Sequence, residues 1–270
     1  MAVLITKADG EVEPYNPHKL LQSLERAGAD KATSDTVAHK VEQEIYAGMT
    51  TQEIYRRAFA HLRDTHKPLA ARYSLKRAVL EFGPSGFPFE AYLAELFRAE
   101  GYTATIDQLI RGKCVEHEVD VVMTKGGTTT YVEAKFHNSL GFKTDLKVAL
   151  YVKARLEDIG ATSGIIATNT GFTDKAEQFA ACSGIDLLGW DIPHGNTLHQ
   201  KIERTGLYPI TAMTSLTRRE KMALLEQKMV LCRDISKDVA VLEQTGIPGR
   251  RLDEALKEAG DLCRPGKGIQ

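Results

Sequence analysis

Polar and apolar residues alternate along two adjoining stretches in the middle of the chain, and this pattern predicts a β-hairpin. The stretch EVDVVMTKGGTTTYVEAKF, residues 118–136, places the turn signal KGGT between the two alternating flanks. Folding about the two glycines puts Asp120 opposite Glu133 and Glu118 opposite Lys135. Directly opposed like charges destabilise a sheet, so we expect a divalent cation to offset the repulsion of the carboxylates. The alternative is a solvated hairpin face.

Periodicity around the hairpin predicts further helices and strands. FEAYLAELFRAEGY carries an apolar stripe at helical spacing that Gly101 ends. After the hairpin, the pattern predicts a helix over 143–158, a buried strand in GIIATNTGF, a helix in DKAEQFAACSG and a last strand in IDLLGW. Strands that alternate with helices favour an α/β layer structure.

Both ends of the chain are mostly helical by pattern. The first block opens with the short strand VLITK, and Asn16-Pro17 starts a helix that is followed by helices over 34–47, 51–64 and 69–82. In the last block, Thr217 with Glu220 indicates a capping box. Breakers and composition therefore predict three domains, with bounds 1–83, 84–200 and 201–270.

Composition is that of an ordinary globular protein, with 43% apolar and 26% charged residues among 270. No apolar run has membrane-spanning length, the start MAVLITKADG shows no signal-peptide pattern, and the four cysteines form no CxxC pair. We therefore expect a cytoplasmic protein with reduced thiols and no membrane partner. The net charge is −1, but the middle block is acidic and the last block is mildly basic, and an acidic centre suits cation binding.

The middle block resembles the Mrr-like restriction endonucleases of the PD-(D/E)xK nuclease superfamily. FEAYLAELFRAEGY, EVDVV, YVEAKF, GIIATNTGFTDKAEQFA and IDLLGWD occur in the family's order over residues 87–192. The resemblance implies a restriction-endonuclease-like mixed sheet flanked by helices, within an overall α/β fold. Many Mrr-like proteins carry glutamine where this chain has Glu133, which still fits the broader superfamily pattern.

The same resemblance implies a catalytic site. Asp120 and Glu133 would bind Mg²⁺ as hard oxygen ligands, Lys135 would stabilise charge on water or phosphate, and Glu90 would complete the metal shell. The alternative for Glu90 is a surface glutamate on an amphipathic helix. Glu118 is expected only to orient Lys135. The flanking histidines, His117 and His137, are weaker candidates.

The first block resembles an ATP-cone, the nucleotide-binding regulatory module of ribonucleotide reductases and their repressors. LITKADGEVEPYNPHKL, TTQEIYRRAFAHL and LAARYSLKRAVLE carry the match over residues 3–83. It implies ATP or dATP as a regulatory ligand. The implied contacts are Lys7, Glu13, Asn16 and Lys19, followed by Thr51, Arg72, Lys76 and Arg77. Ala8 stands where the family usually has a basic residue, and no P-loop motif is present. The alternative is a generic helical domain with scattered lysines.

The last block contains GIPG at 246–249, followed by Arg250 and Arg251. This weakly resembles a helix-hairpin-helix, whose turn amides and arginines bind the DNA backbone. The alternative is a plain helix–helix turn with exposed arginines.

Together these patterns predict a nucleotide-regulated, Mg²⁺-dependent DNA endonuclease. Cleavage of both strands needs two sites, so we expect a homo-oligomer, a dimer or larger. The alternative from another class is a catalytically silent protein that binds DNA or nucleotide and keeps the nuclease fold. An RNA nuclease is the third hypothesis, and the sequence shows no signature of stacking aromatics that favours it.

Overall fold

A computed structural model of the chain describes residues 3–7, 10–83, 85–236, 247 and 249–263. The chain forms two compact units, residues 1–75 and residues 76–270. No helix in the described ranges is long and apolar enough to cross a membrane.

The first unit is a small antiparallel ladder followed by helices. Its elements are β1 (Leu4–Thr6), β2 (Val12–Pro14), α1 (Pro17–Arg26), α2 (Lys31–Glu44), α3 (Thr51–Thr65) and α4 (Lys67–Tyr73), and α5 (Leu75–Leu80) then continues into the second unit. The apolar faces of the helices meet in one core. Leu24, Val41, Ala58 and Leu62 have no exposed surface there.

Capping residues set where these helices begin. Asn16 accepts a hydrogen bond from the His18 amide and precedes Pro17, as the sequence predicts for α1. Thr50 caps α3 in a full capping box with Glu53. The predicted helix 69–82 is instead two helices, α4 and α5, because the backbone leaves helical geometry at Ser74.

The second unit holds the main sheet and the remaining helices. Its elements before the C-terminal segment are α6 (Phe87–Ala99), β3 (Thr103–Arg111), β4 (Glu116–Lys125), β5 (Thr128–Lys135), β6 (Lys143–Thr144), α7 (Leu146–Ile159), β7 (Gly164–Thr168), β8 (Gly171–Phe172), α8 (Asp174–Ser183), β9 (Asp186–Leu188) and α9 (Leu198–Thr205). The C-terminal segment adds two 3-10 turns (Ile210–Ala212 and Cys232–Ser236), α10 (Arg218–Glu226) and α11 (Gly249–Leu262).

The five-stranded sheet is mixed, in the order β3-β4-β5-β7-β9. β3, β4 and β5 run antiparallel, whereas β5, β7 and β9 run parallel. The hairpin register agrees with the prediction from Lys125–Thr128 to Val121–Val132, where the ladder ends. The two predicted pairs beyond that point, Asp120 with Glu133 and Glu118 with Lys135, are not ladder pairs, and Glu118 pairs with Leu109 of β3. Strand β3 was not predicted. β3 is continuous over Thr103–Arg111 and pairs with β4 in one register on both sides of Asp107, which has a positive φ of 53° within the strand.

Helices cover the sheet and bury its apolar positions. α6 contacts β3 and β4, and its predicted stripe of Phe89, Leu93, Leu96 and Phe97 is buried. α7 packs against α8 and β7, α8 packs against β9, and their shared core includes Ile166, which has no exposed surface. The observed architecture is therefore the predicted restriction-endonuclease-like mixed sheet with flanking helices, beside a mostly helical N-terminal unit.

Carboxylates fix the C-terminal segment. Glu220 completes the predicted capping box with Thr217 at the start of α10 and also pairs with Arg251 of α11. Glu258, only 3% exposed, accepts hydrogen bonds from the Thr214 amide and hydroxyl and from the Ser215 amide. One buried carboxylate on α11 thus satisfies three donors in the loop that precedes α10.

We expect Glu258→Ala to lower the free energy of unfolding by about 3 kcal/mol, because it removes charge-assisted hydrogen bonds and leaves buried amides without an acceptor. Asp253→Ala, an exposed position on the same helix, is the control and should change stability little. Urea unfolding followed by circular dichroism measures both variants. Equal midpoints for the two would contradict this role of Glu258.

Candidate active site

The candidate site lies where β4 and β5 separate. The two strands pair as far as Val121 and Val132, and from Tyr131 onward β5 pairs in parallel with β7. The Ala134 amide donates to Oδ2 of Asp120 at 2.6 Å. A carboxylate on β4 thus accepts a backbone hydrogen bond from β5, which holds Asp120 beside Glu133.

Glu133 is buried between two cations. It is 6% exposed, its Oε2 accepts from Nη1 of Arg155 at 2.7 Å, and its Oε1 lies 3.3 Å from Nζ of Lys135. Arg155, on α7, is 7% exposed. The alternative of a solvated hairpin face is therefore wrong, because a buried carboxylate keeps its charge only with such partners.

Burial and neighbouring charge raise the pKa of two further carboxyls. Burial is the larger cause at Asp120, where the negative charge of Glu133 adds to it and the pKa rises to about 6. At Glu90, burial and then the charge of Asp120 raise the pKa to about 7. Glu90 is half-buried on α6, and its acidic neighbours are Asp120, Asp107 and Glu118.

Two residues of this arrangement were missed by sequence reasoning. Asp107 adds its negative charge to the environment of Glu90 and sits in the left-handed conformation on the unpredicted β3. Arg155 falls within the apolar stripe of α7, next to the buried Val152 and Leu156. An arginine inside an apolar stripe predicts a buried carboxylate partner, because arginine is rarely buried unless it is paired. The sequence pattern of β3 contains no comparable signal for Asp107.

The donor set suits a hard divalent cation. Asp120 and Glu133 offer carboxylate oxygens, the ligands that Mg²⁺ prefers, and their mutual repulsion raises the pKa of Asp120. Among the described residues, no three histidine, cysteine or acidic side chains are already gathered as a metal cage. Because Mg²⁺ keeps several waters and takes only one or two carboxylates, a site of this size fits it.

The flanking residues have partners within the fold. His117 lies 2.8 Å from Asp158, which also accepts from the backbone of the loop before β4. His137 contacts the Thr144 hydroxyl at 3.0 Å, and burial together with the charge of Lys135 lowers its pKa. Glu118 is exposed on β4, pairs across the strands with Leu109, and adds its charge to the environment of Glu90.

The first unit contains a separate cavity of about 220 Å³. Four of the predicted nucleotide contacts line it, namely Glu13, Asn16, Lys19 and Thr51. Lys19 binds Glu13 at 2.8 Å, and Lys7 lies 3.3 Å from the other oxygen of Glu13. Glu13 thus joins two of the predicted phosphate-binding lysines.

The remaining predicted nucleotide contacts do not line this cavity. The Arg72 guanidinium lies beside Gly28, near the end of α1. Lys76 belongs to the second unit, where it lies 3.6 Å from Asp191 and over the Trp190 ring. Arg77 is likewise in the second unit, and Ala8 lies outside the described residues.

The predicted helix-hairpin-helix is only partly described, since residues 237–246 and 248 lie outside the described ranges. Arg250 is exposed at the start of α11. Arg251 instead makes two 2.7 Å bonds to the Glu220 carboxylate and one of 2.9 Å to the Ser215 carbonyl. The Arg251 guanidinium therefore already has acceptors within the protein, which connect α11 to the start of α10.

Comparison with known proteins matches three family models to successive parts of the chain. An ATP-cone domain matches residues 3–79, a restriction endonuclease domain of the Mrr type matches 84–192, and the C-terminal domain of AF1548-like proteins matches 208–263. The chain therefore joins an ATP-cone to an Mrr-like nuclease fold, as the sequence resemblances predict.

A relative from Archaeoglobus fulgidus, described as an uncharacterized protein, is 34% identical over 171 residues, which are 62% of this chain and 97% of the relative. The chain belongs to the AF1548-like family. The crystal structure of a protein of unknown function, AF1548, has 32% identity and a TM-score of 0.57 over 66% of this chain and 98% of that one. The restriction endonuclease MspJI, solved with a 27-mer oligonucleotide, has 15% identity over 85% of this chain and 40% of that one, and its TM-score of 0.30 is too low to support an inference.

For this AF1548-like protein we expect Asp120→Asn to raise stability at pH 8 by about 1–3 kcal/mol in metal-free buffer. The pKa of Asp120 is about 6 in the folded protein, above its ordinary value of 3.8. Between these values the folded state holds a proton that the unfolded chain has lost, so stability falls as pH rises from about 4 to 6. The neutral amide removes this loss and can still accept from the Ala134 amide.

Thermal melts between pH 4 and pH 8 measure the difference between wild type and variant. Glu116→Gln, an exposed position on the same strand, is the matched control and should track wild type. A constant difference across the pH range would contradict the raised pKa of Asp120.

Proposed function

We propose that the protein is a nucleotide-regulated, Mg²⁺-dependent DNA endonuclease. The observation that carries the proposal is the convergence of Asp120, Glu133 and Lys135 at the point where β4 and β5 separate. Two hard-oxygen ligands beside a lysine are what phosphodiester hydrolysis requires. The nuclease-type family match over residues 84–192 agrees with this chemistry.

Each side chain has a distinct role in this proposal. Asp120 and Glu133, with Glu90 nearby, would hold Mg²⁺, which when bound supplies an activated water and neutralises charge on the phosphate. Arg155 positions Glu133 through its 2.7 Å bond. The Lys135 ammonium donates hydrogen bonds to the phosphate oxygen or to the attacking water as negative charge develops.

Glu90, on α6, would complete the metal shell beside Asp120. Burial and then the negative charge of Asp120 raise its pKa in the absence of a cation. A cation bound at this site would favour the ionised carboxylate and lower that pKa.

We expect Lys135→Ala and Asp120→Asn each to reduce Mg²⁺-dependent plasmid nicking by at least about 100-fold, because each removes a group that stabilises the transition state. Conversion of supercoiled plasmid to open circles, with and without EDTA, measures the rate. Lys125→Ala, at the turn end of the same hairpin, is the control and should cut at the wild-type rate. Wild-type cutting by both site variants would place the nuclease site elsewhere.

A catalytically silent binding protein is the second candidate, and one observation favours it. Both oxygens of Glu133 already have cationic partners in Arg155 and Lys135, as in a pair that serves the fold alone. In that case Mg²⁺ would not change the melting temperature, and no plasmid would be cut at any nucleotide concentration.

We propose that the N-terminal domain, residues 1–83, binds ATP or dATP at the cavity lined by Glu13, Asn16, Lys19 and Thr51. The ATP-cone match, the Lys19 side chain at this cavity and the nearby Lys7, 3.3 Å from Glu13, support this assignment. Lys7 and Lys19 would exchange the Glu13 carboxylate for phosphate oxygens, as compact charges suited to phosphate. Arg72, Lys76 and Arg77 remain proposed contacts from the domain's C-terminal end.

Nucleotide should raise the melting temperature, because a ligand that binds only the folded state stabilises it by mass action. At 100 times the Kd the gain is about 2.7 kcal/mol. Lys7→Ala with Lys19→Ala should remove the shift, whereas Lys40→Ala, exposed on α2, should keep it. A full shift in the double variant would contradict the assignment of this cavity.

We further propose that Arg250 with Arg251 contributes DNA-backbone contacts in the domain spanning residues 201–270.

We also propose that nucleotide changes the oligomeric state. Regulation requires a ligand to prefer one conformational or oligomeric state. Sedimentation with and without ATP or dATP, beside a plasmid-cleavage time course, tests it. Identical sizes and rates at concentrations that shift the melt would leave nucleotide binding without regulation.

A further inference from the structure

Large apolar side chains are exposed on the segment that follows the hairpin. Leu140, Phe142, Leu150 and Tyr151 are 46%, 65%, 47% and 55% exposed. They account for four of the six such side chains in the described part of residues 76–263. Exposed apolar side chains concentrated in one short segment mark it as a candidate binding surface.

One aromatic ring of this cluster rests on a residue next to the candidate active site. Phe142 stacks on the His137 ring, with 6.3 Å between centroids and 16° between planes. His137 is two residues beyond Lys135, and the charge of Lys135 lowers the pKa of His137. Phe142 is therefore tied to the strand end that carries the catalytic lysine.

The second ring contacts the candidate active site through Arg155. The Tyr151 ring centroid lies 4.7 Å from the Arg155 guanidinium carbon, and Arg155 in turn binds Glu133 at 2.7 Å. Both rings therefore rest on immediate neighbours of the site while about half or more of each side chain is exposed.

Lysines flank the two rings along the chain, since Lys143 follows Phe142 and Lys147 lies one turn of α7 before Tyr151. Lys143, Lys147 and Lys175 are exposed and line a cavity of about 630 Å³ together with the exposed Leu150. Two aspartates also line it. One of them, Asp145, is engaged as the N-cap of α7, where it accepts from two backbone amides.

This combination fits a nucleic acid better than a second copy of the chain. The cores of protein–protein interfaces are depleted in lysine, and here lysines alternate with the apolar side chains. Exposed rings that stack on bases, set among cations that bind the backbone, characterise single-stranded nucleic-acid sites. Bases in an intact duplex offer no free face to such rings.

We propose, on the basis of the proposed nuclease function, that Phe142 and Tyr151 stack on unpaired bases. The substrate class is then DNA with single-stranded nucleotides next to the scissile phosphate, such as a bubble, and not an uninterrupted duplex. Lys143, Lys147 and Lys175 contact the backbone of the unpaired strand.

Binding in EDTA tests the proposal without cleavage. Three ligands of equal length are compared by fluorescence anisotropy, namely a duplex, the same duplex with a central bubble, and a single-stranded RNA of the bubble sequence. A 2-aminopurine in the bubble reports stacking by quenching. We expect the bubble to bind about 5- to 150-fold tighter than the duplex, the range of one stacked base, and the 2-aminopurine to be quenched.

Variants assign the effect to the rings. Phe142→Ala with Tyr151→Ala should abolish both the bubble preference and the quenching, and should leave duplex affinity and the salt slope unchanged. Val115→Ala, which removes an exposed apolar side chain outside this segment and its cavity, is the control and should keep both. Lys147→Ala should reduce the slope of log affinity against log salt by about one.

Equal affinity for duplex and bubble, or a bubble preference that survives loss of both rings, would overturn the inference. So would tighter binding of the RNA, or a double variant that changes only the oligomer size. Failure of the proposed nuclease activity would give a different result. The ring-dependent bubble preference would persist in EDTA, but Mg²⁺ would produce no cleavage of any ligand.

Discussion

The ion pair between Glu133 and Arg155 is the constraint on which the nuclease unit depends. Both side chains are more than nine-tenths buried and lie 2.7 Å apart. Removing one partner of such a pair costs about 3–5 kcal/mol, because the other charge stays buried without compensation. The pair joins β5 to α7, so the strand that carries Lys135 and the helix that carries Tyr151 keep a fixed relation. Active-site geometry and sheet packing are thus maintained by the same contact.

Strand pairing places the other acid. β5 has an antiparallel neighbour on one side and a parallel neighbour on the other, and its ladder with β4 stops at Val132. Beyond that point the Ala134 amide donates to the Asp120 side chain instead of a β4 carbonyl. The divergence of the strands therefore makes room for a carboxylate between them. The burial that follows raises the pKa of Asp120 and favours a cation that would hold it ionised.

Local signals allowed the hairpin, its register and most helix starts to be predicted. KGGT with alternating flanks specified the pairing of Val121 with Val132, and Asn16 and Thr217 marked helix starts through hydrogen bonds made within three residues. The contacts that escaped prediction join distant segments. Arg155 and Glu133 are 22 residues apart in the sequence. The placement of Asp107 follows from its positive φ within β3. The aromatic cluster escaped because Phe142 and Tyr151 approach the site only through His137 and Arg155.

The ion pairs at the candidate site of the first unit are open to solvent, whereas the ion pair at the candidate site of the second unit is buried. This difference bears on regulation. In the first unit, Glu13 binds Lys7 and Lys19 in pairs open to solvent, which contribute little to stability and exchange partners readily. Under the proposed nucleotide function, a triphosphate would replace Glu13 without disturbing the core. In the second unit, the buried Glu133–Arg155 pair resists exchange, so the site is preorganised. A nucleotide signal that reached the nuclease would have to act by changing assembly or access, because the carboxylate framework itself is too costly to rearrange.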